Sequence, residues 1–227
     1  KLATSTPTDE NGFTWFDVDV PIRGEFYLDP AGPRSTSREN SGRYQIVEIT
    51  APAGYLLDDT PIDVTFIYEG RQVAWQIVDA TAMNLRTTVD ISKQDITNGQ
   101  ELPGARLEIT DVEGNVVAGW TSAKTPHTVR GLELEKEYTL TERRAPDTYA
   151  EAESITFKLT QTDSEQKNDV FVKSGDTWEK LEDATVVMQD APALDIDKTD
   201  VSGNLLPGAT LTIRAEDGTV IDPWATD

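Results

Sequence analysis

This sequence contains many short runs in which apolar and polar residues alternate. These runs constrain its fold more than any other feature. They are rich in Thr, Val, Ile and Tyr, and include RYQIVEI (43–49), ARLEITDV (105–112), KEYTLTE (136–142) and ATVVMQD (184–190). Turn signals such as Glu113-Gly114-Asn115 and Asp217-Gly218 separate the runs. A period of two with frequent turns is typical of half-buried strands. The sequence therefore predicts an all-β sandwich or barrel.

Several motifs occur twice, about a hundred residues apart, which indicates tandem domains. The aligned pairs are 93–120 with 198–224, YQIVEITAPAGY (44–55) with YTLTERRAPDTY (138–149), and, more weakly, ATAMN (80–84) with TVVMQD (185–190). One whole set of motifs lies between residues 89 and 193. We therefore expect a complete domain at 89–193, the later part of a domain at 1–88 and the early part of another at 194–227.

The composition excludes several classes of function. The 227 residues include 41 acidic and 20 basic ones, for a net charge of −21. Nucleic acids and anionic membrane surfaces require basic patches, so we expect neither as a partner. No apolar run reaches the roughly 18 residues of a spanning helix. The chain has no cysteine and a single histidine, His127, which argues against disulfides, a zinc site or a Ser-His-Asp triad.

A lysine interrupts an alternating segment at two equivalent places, Lys93 in ISKQD (91–95) and Lys198 in IDKTD (196–200). Lysine is depleted from strand interiors and is rarely buried. One interpretation is an exposed lysine that protects an edge strand from aggregation. The other is a buried functional amine. The central unit also places Glu142 in a middle strand and Asp190 in its last strand.

The motifs ISKQD, LPGARLEI, YTLTERRAP and VVMQDAP, in this order, resemble the Cna B-type or SpaA-type domains of Gram-positive surface proteins and pili. The resemblance implies tandem Ig-like or prealbumin-like β-sandwich domains with Greek-key character. It also implies an intramolecular isopeptide bond, with Lys93 as nucleophile, Asp190 as electrophile and Glu142 as proton shuttle. The family's AP-x-G-Y motif reads APDTY here, so Thr148 replaces a glycine in a turn.

The chemistry has a physical basis that is independent of the resemblance. An ammonium group has no lone pair, but burial disfavours the charged forms of amines and carboxyl groups alike. A neutral amine can then lie beside a protonated carboxyl group. A second carboxyl group can polarise the target carbonyl and relay a proton, while the fold replaces a bimolecular encounter. Such a reaction occurs once per molecule, so we expect no enzyme turnover.

A second candidate site lies in the first unit, at Glu48 and Asn84, with Asp79 as a competing electrophile. This site would need a lysine from an upstream strand or from another chain, such as Lys198. The alternative is that both residues are ordinary strand-end residues. Complementary partial units at the two ends also suggest head-to-tail self-association, although boundaries cut from a longer protein would give the same pattern.

The predicted function is a stalk or repeat segment of a cell-wall-anchored adhesin or pilin, with its signal peptide and anchor outside this chain. Expected partners are neighbouring domains of the parent protein. The competing hypothesis is a module that binds host matrix protein or glycan. We expect no cofactor and no metal, because the acidic turns lack the ligand spacing of a calcium loop and suit hairpins.

Overall fold

The computed structural model describes residues 5–15, 42–66, 79–162, 166–193 and 196–225. These residues form strands joined by turns. In chain order the strands are β1 Gly42–Ile46, β2 Ile62–Phe66, β3 Thr88–Asp95, β4 Arg106–Thr110, β5 Val116–Thr121, β6 His127–Arg130, β7 Glu137–Arg144, β8 Ile155–Thr160, β9 Asp169–Ser174, β10 Thr177–Lys180, β11 Thr185–Asp190, β12 Thr210–Arg214 and β13 Val220–Ala225. The all-β prediction is confirmed. No helix in the described ranges is long and apolar enough to cross a bilayer.

The central part of the chain is a sandwich of two sheets. One sheet has six strands in the order β10-β9-β8-β7-β4-β5, and the other has three in the order β11-β3-β6. Strands β3 and β11 pair in parallel, whereas β3 and β6 are antiparallel. A parallel pair cannot be joined by a hairpin, so the chain crosses the other sheet between β3 and β11.

One apolar core fills the space between these two sheets. Alternation in β3, β4, β7, β8 and β11 turns every second side chain inward. The inward residues form one buried cluster with members from both sheets, including Ile91, Leu107, Leu140, Phe157 and Met188. Burial of these side chains is the main stabilising contribution to such a sandwich. The same alternation places the lysine, glutamate and aspartate strands around a common interior.

The sequence repeat is visible in the backbone. Strands β4 and β5 pair with Leu107 opposite Trp120, and β12 and β13 pair with Leu211 opposite Trp224. Both hairpins have an irregularity at the equivalent step, between Ile109 and Thr110 in the first and between Ile213 and Arg214 in the second. The aligned segments therefore adopt the same hairpin.

One local strand prediction is wrong. Residues 196–200 around Lys198 do not form a strand, and only Thr199 makes an isolated bridge, to Leu205. In the central unit the equivalent β3 pairs with β11 and β6. Within the described residues, the segment at Lys198 has no such neighbours, and strand structure depends on pairing. A further alternating run of the sequence, FTWFDVDV (13–20), lies mostly outside the described residues, and its residues 13–15 are not in a strand.

Candidate functional site: a buried Lys-Glu-Asp cluster

The structure brings Lys93, Glu142 and Asp190 together inside the central sandwich. Lys93 Nζ contacts Asp190 Oδ1 and lies 3.2 Å from Glu142 Oε1. The lysine side chain is 1% exposed, and both carboxyl groups are 0% exposed. Three ionisable side chains fully removed from water at contact distance are costly unless their charges are balanced or neutralised.

Strand alternation explains why these three side chains meet. Lys93 follows Val89 and Ile91 on the inward face of β3, and Asp190 is the last inward residue of β11. The parallel register sets Met188 opposite Lys93, so the long lysine side chain reaches forward to Asp190. Glu142 extends from β7 in the opposing sheet, where it pairs in register with Leu107 of β4. The Lys93-Asp190 pair therefore joins neighbouring strands, and Glu142 approaches from across the core.

Burial raises the pKa of Asp190 above its ordinary value of 3.8. The hydrogen bond and charge of Lys93 oppose this shift, while the nearby Glu142 carboxyl group adds to it. Among the described residues, Glu142 Oε1 and Asp190 Oδ2 are buried oxygens without a hydrogen-bond partner. A proton retained on this pair of carboxyl groups would reduce the electrostatic cost of burying them.

Backbone contacts hold the site in place. The other oxygen of Glu142, Oε2, accepts a 2.8 Å hydrogen bond from Ala152 N, which orients the carboxyl group. Leu102 N donates to Lys93 O, and Ile96 N donates to Asp190 O. Both ends of the Lys93-Asp190 pair are therefore anchored through main-chain atoms next to the reactive side chains.

Sequence reasoning did not identify the Tyr149-Asp95 contact, which closes one end of the site. Tyr149 Oη donates a 2.9 Å hydrogen bond to Asp95 Oδ2 at the end of β3, and Tyr149 forms a bridge with Pro192 just beyond β11. These contacts join the segment after β7 to both β3 and β11. The available signal was the recurrence of this tyrosine as Tyr55 in the first unit.

Thr148, which replaces the glycine of the AP-x-G-Y motif, has a φ of 71°. This is the left-handed region, which is uncommon for β-branched residues. Gly54, its equivalent in the first unit, has a φ of 78°. The turn geometry is therefore retained despite the substitution, and Thr148 O still accepts a hydrogen bond from Ala193 N.

The first unit contains the same site without its lysine. Asn84 Nδ2 donates a 2.6 Å hydrogen bond to Glu48 Oε2, and that oxygen also accepts one from Asp58 N. In the central unit, Ala152 N donates the equivalent hydrogen bond to Glu142 Oε2. Glu48 and Asn84 are both partly buried. No described lysine side chain forms an ion pair or hydrogen bond with Glu48 or Asn84.

Backbone hydrogen bonds identify Asn84 as the counterpart of Asp190. Leu56 N donates to Leu85 O, as Ala150 N donates to Ala191 O. The residue preceding each acceptor is Asn84 in the first unit and Asp190 in the central one. Of the two electrophile candidates in the first unit, the geometry thus favours Asn84 over the exposed Asp79.

Lys198 is not brought to either site. Its side chain is exposed, and its Nζ donates to the carbonyl oxygen of Thr199 at 3.3 Å. Its backbone resembles that of Lys93, because Leu206 N donates to Lys198 O as Leu102 N does to Lys93 O. The structure thus assembles the three predicted residues of the central site and two of the three associated with the second site.

Known proteins provide an independent comparison. A family model described as the SpaA prealbumin-like fold domain matches residues 7–81 and 87–174. The Bacillus anthracis TIE protein is 24% identical over 82% of this chain and 33% of its own, with a TM-score of 0.42. The pilus-presented adhesin Spy0125 (Cpa) is 29% identical over 41% of this chain and 27% of its own, with a TM-score of 0.33.

A third structure, the C-terminal fragment of pilus adhesin SpaC from Lactobacillus rhamnosus GG, is 20% identical. The match covers 68% of this chain and 78% of that fragment, with a TM-score of 0.40. The chain thus spans only about a third of the TIE protein's length and about a quarter of Cpa's. No curated protein sequence matches it. Because the two family matches together extend over most of the sequence, this chain belongs to the SpaA prealbumin-like fold domain family.

Proposed function

We propose that this chain is a load-bearing segment of an extracellular, cell-wall-displayed adhesin or pilin, stiffened by an amide bond between Lys93 and Asp190. The observation that carries the proposal is the contact of Lys93 Nζ with Asp190 Oδ1, beside Glu142 and out of reach of water. A cluster that only stabilised the fold would be poorly placed here, because well-packed apolar residues usually perform as well as buried ion pairs.

In the proposed reaction, neutral Lys93 Nζ attacks Cγ of protonated Asp190. A C–N bond forms, one C–O bond of Asp190 breaks, and that oxygen leaves as water with two hydrogens. Glu142 accepts a proton from the amine and delivers a proton to the departing oxygen, so it ends unchanged. The raised pKa of Asp190 favours the protonated form that this reaction requires. The product is a single covalent link and involves no turnover.

The link would connect β3 to β11 across 97 residues of chain. Force applied to the two ends of the unit would then be transmitted through an amide bond before it reached the hydrogen bonds of the sheets. Unlike a disulfide, an amide is not reduced by thiols. A chain without cysteine cannot form a disulfide, and an amide between side chains would supply a covalent staple instead. These properties suit a stalk whose partners are the neighbouring domains of the same protein.

Glu48 and Asn84 form the second proposed site, which requires a lysine. The amide nitrogen of Asn84 would leave as ammonia when an amine attacks its side-chain carbonyl. The lysine comes from another segment of the parent protein or from a second copy of this chain, with Lys198 as the candidate for head-to-tail linkage. The 2.6 Å contact between Asn84 and Glu48 favours this proposal over two unrelated strand-end residues.

Intact mass measurement of the 227-residue chain tests the central claim. We expect a mass one water lower than the sequence mass, and a tryptic peptide that joins the segments around Lys93 and Asp190. Lys93→Met should restore the full mass. An unmodified mass in the wild-type protein would rule out the Lys93-Asp190 bond. A ladder of multimers that each lack one ammonia per junction, absent in Lys198→Ala, would identify head-to-tail linkage.

A further inference from the structure

The junction between the first unit and the central sandwich contains an open cleft of about 350 Å³. Its lining includes Leu56, Leu85 and Arg86 from the first unit and the connecting segment, together with Arg130, Gln166, Lys167 and Ala184 from the central unit. This volume lies within the range of small-ligand pockets, which occur preferentially where domains meet. The lining contains none of the residues proposed to form the crosslink, so binding in the cleft does not require the bond.

The cleft has an unusual charge for this protein. The chain has a net charge of −21, yet three of the described lining residues, Arg86, Arg130 and Lys167, are cationic, and none of the described ones is acidic. All three are exposed. Over the described ranges, none lies within ion-pair distance of a carboxylate, whereas surface cations such as Lys136 and Lys180 are paired. A positive site in a negative surround focuses anions toward the cleft.

The three cations keep donors available for a ligand. Arg86 is positioned by Tyr55, because its Nε donates to the tyrosine hydroxyl at 3.2 Å and its guanidinium carbon lies 5.5 Å from the ring centroid. The terminal nitrogens of the Arg86 guanidinium group donate no hydrogen bond to any residue that the structure describes. Lys167 does interact electrostatically with Asp169, but that carboxylate is already bound by Lys180 Nζ at 2.6 Å.

Side-chain amides make the junction rigid. Asn168 is buried and binds both backbone groups of Thr88, accepting from its N at 2.9 Å and donating to its O at 2.8 Å. Gln166 accepts from Leu85 N at 2.7 Å and donates to Asp58 Oδ2 at 2.7 Å. Gln161 similarly binds both backbone groups of Leu57. A cleft held in this way loses little conformational entropy when it binds a ligand.

Close backbone packing also fixes the two walls. A Cβ atom on Gly54 would lie 2.5 Å from Gly131 O, so a glycine is required at this approach. Gly131 N in turn donates to Thr87 O, and the Thr87 hydroxyl donates to Leu132 O at 2.6 Å. Thr87 is fully buried. The segment that carries Arg86 is therefore positioned against the strand that carries Arg130.

We infer that this cleft, defined by Arg86, Arg130 and Lys167 over Leu56, Leu85 and Ala184, binds a short acidic peptide segment of a partner protein. Guanidinium groups recognise carboxylates through paired hydrogen bonds. The apolar floor suits an aliphatic side chain between two acidic ones. Among the residues that the structure describes, no aromatic ring lines the cleft as a platform for a sugar. A long polyanion would extend onto the acidic surface around the cleft, which favours a short ligand.

The test is titration of the ¹⁵N-labelled full chain with a blocked peptide of alternating aspartate and leucine, followed by amide chemical shifts. We expect saturable shifts confined to residues 56, 85–88, 130, 166–168 and 184, weakened by added salt. The same peptide with asparagine in place of aspartate should not bind. A sulfated disaccharide serves as the glycan arm, and saturable binding of it without binding of the peptide would overturn the inference.

Substitutions locate the site. Arg130→Gln and Lys167→Gln should each weaken peptide binding by about tenfold, the loss expected for one charge-assisted hydrogen bond. Leu85→Glu places an acid in the cleft at an exposed position and should abolish binding. Lys124→Gln, an exposed cation outside the cleft and outside any described ion pair, is the matched control and should have no effect. Equal losses in the cleft variants and the control would show non-specific attraction and refute the site.

Discussion

Substitution of Glu142 by glutamine should arrest the crosslink while leaving the fold nearly unchanged. The glutamine oxygen can still accept the 2.8 Å hydrogen bond from Ala152 N, and the side chain keeps its volume. It cannot act as a proton relay at ordinary pH. Lys93 and Asp190 would then remain in contact but unlinked, so the variant isolates the contribution of the covalent bond.

The size of the effect follows from loop closure. The proposed bond would close a loop of 97 residues. Using the chain-entropy relation for disulfides, such a loop stabilises the folded state by about 4.7 kcal/mol at 25 °C. A unit of about 100 residues unfolds with an entropy of roughly 0.2 kcal/mol/K, so the melting temperature of the central unit should fall by about 20 °C.

Intact mass and calorimetry on the same samples provide the assay. Glu108→Gln is the matched control, because it removes a glutamate of the same sheet that binds Arg143 at 2.7 Å near the surface, and it should cost at most about 1 kcal/mol. The control should also be one water lighter, like the wild type. A Glu142→Gln protein that still loses water refutes the role of Glu142. One with full mass and a control-like melting temperature refutes the loop-closure argument.

Three further outcomes are expected. Asp190→Asn should still crosslink, because Asn84 occupies the equivalent position in the first unit, and the mass loss should change from one water to one ammonia in intact mass spectra. Thr148→Gly should raise the unfolding free energy by up to about 1 kcal/mol in urea titrations, since relief of the left-handed conformation outweighs the added freedom of the unfolded chain. Lys93→Met should make stability depend on the ionisation of Asp190, whose buried carboxyl group has a raised pKa. The protonated form of Asp190 stabilises the fold fully below the unfolded pKa of 3.8, and this stabilisation is lost as the pH rises through the higher folded pKa. Urea titrations at acidic and neutral pH measure the loss. The double variant Lys93→Met/Asp190→Asn should not show it.

The sequence predicted the strands of the central unit best where alternation is strict. The runs at 105–112, 136–142 and 184–190 correspond to β4, β7 and β11, and each places its predicted inward residues in the core. Strands β5, β6 and β10 have mostly exposed or half-buried residues, so their apolar pattern is weak. Pattern reasoning detects burial on one face, and these edge strands offer little of it.

Lys198 shows the limit of reasoning from a local motif. Its segment resembles that of Lys93, and both lysine carbonyls accept a backbone hydrogen bond from an equivalent leucine. Yet one lysine is buried in a strand and the other is exposed outside one. The difference is non-local, because β3 is held by β11 and β6 from later in the chain. A five-residue motif cannot encode neighbours that come from distant parts of the chain, such as β6 and β11.

The glutamates of the two units, Glu48 and Glu142, are held in place by the same kind of backbone contact. Glu48 and Glu142 each accept a backbone N–H from the residue ten positions onward, Asp58 and Ala152 respectively. This contact is present with and without a lysine, so the carboxyl group is oriented by its own strand and the following loop. The amine is therefore not needed to orient the glutamate carboxyl group. Preorganisation of this kind would lower the cost of the proposed reaction. At the first site, where no described lysine contacts Glu48 or Asn84, the arrival of a lysine, rather than formation of the glutamate contact, would therefore determine whether a bond forms.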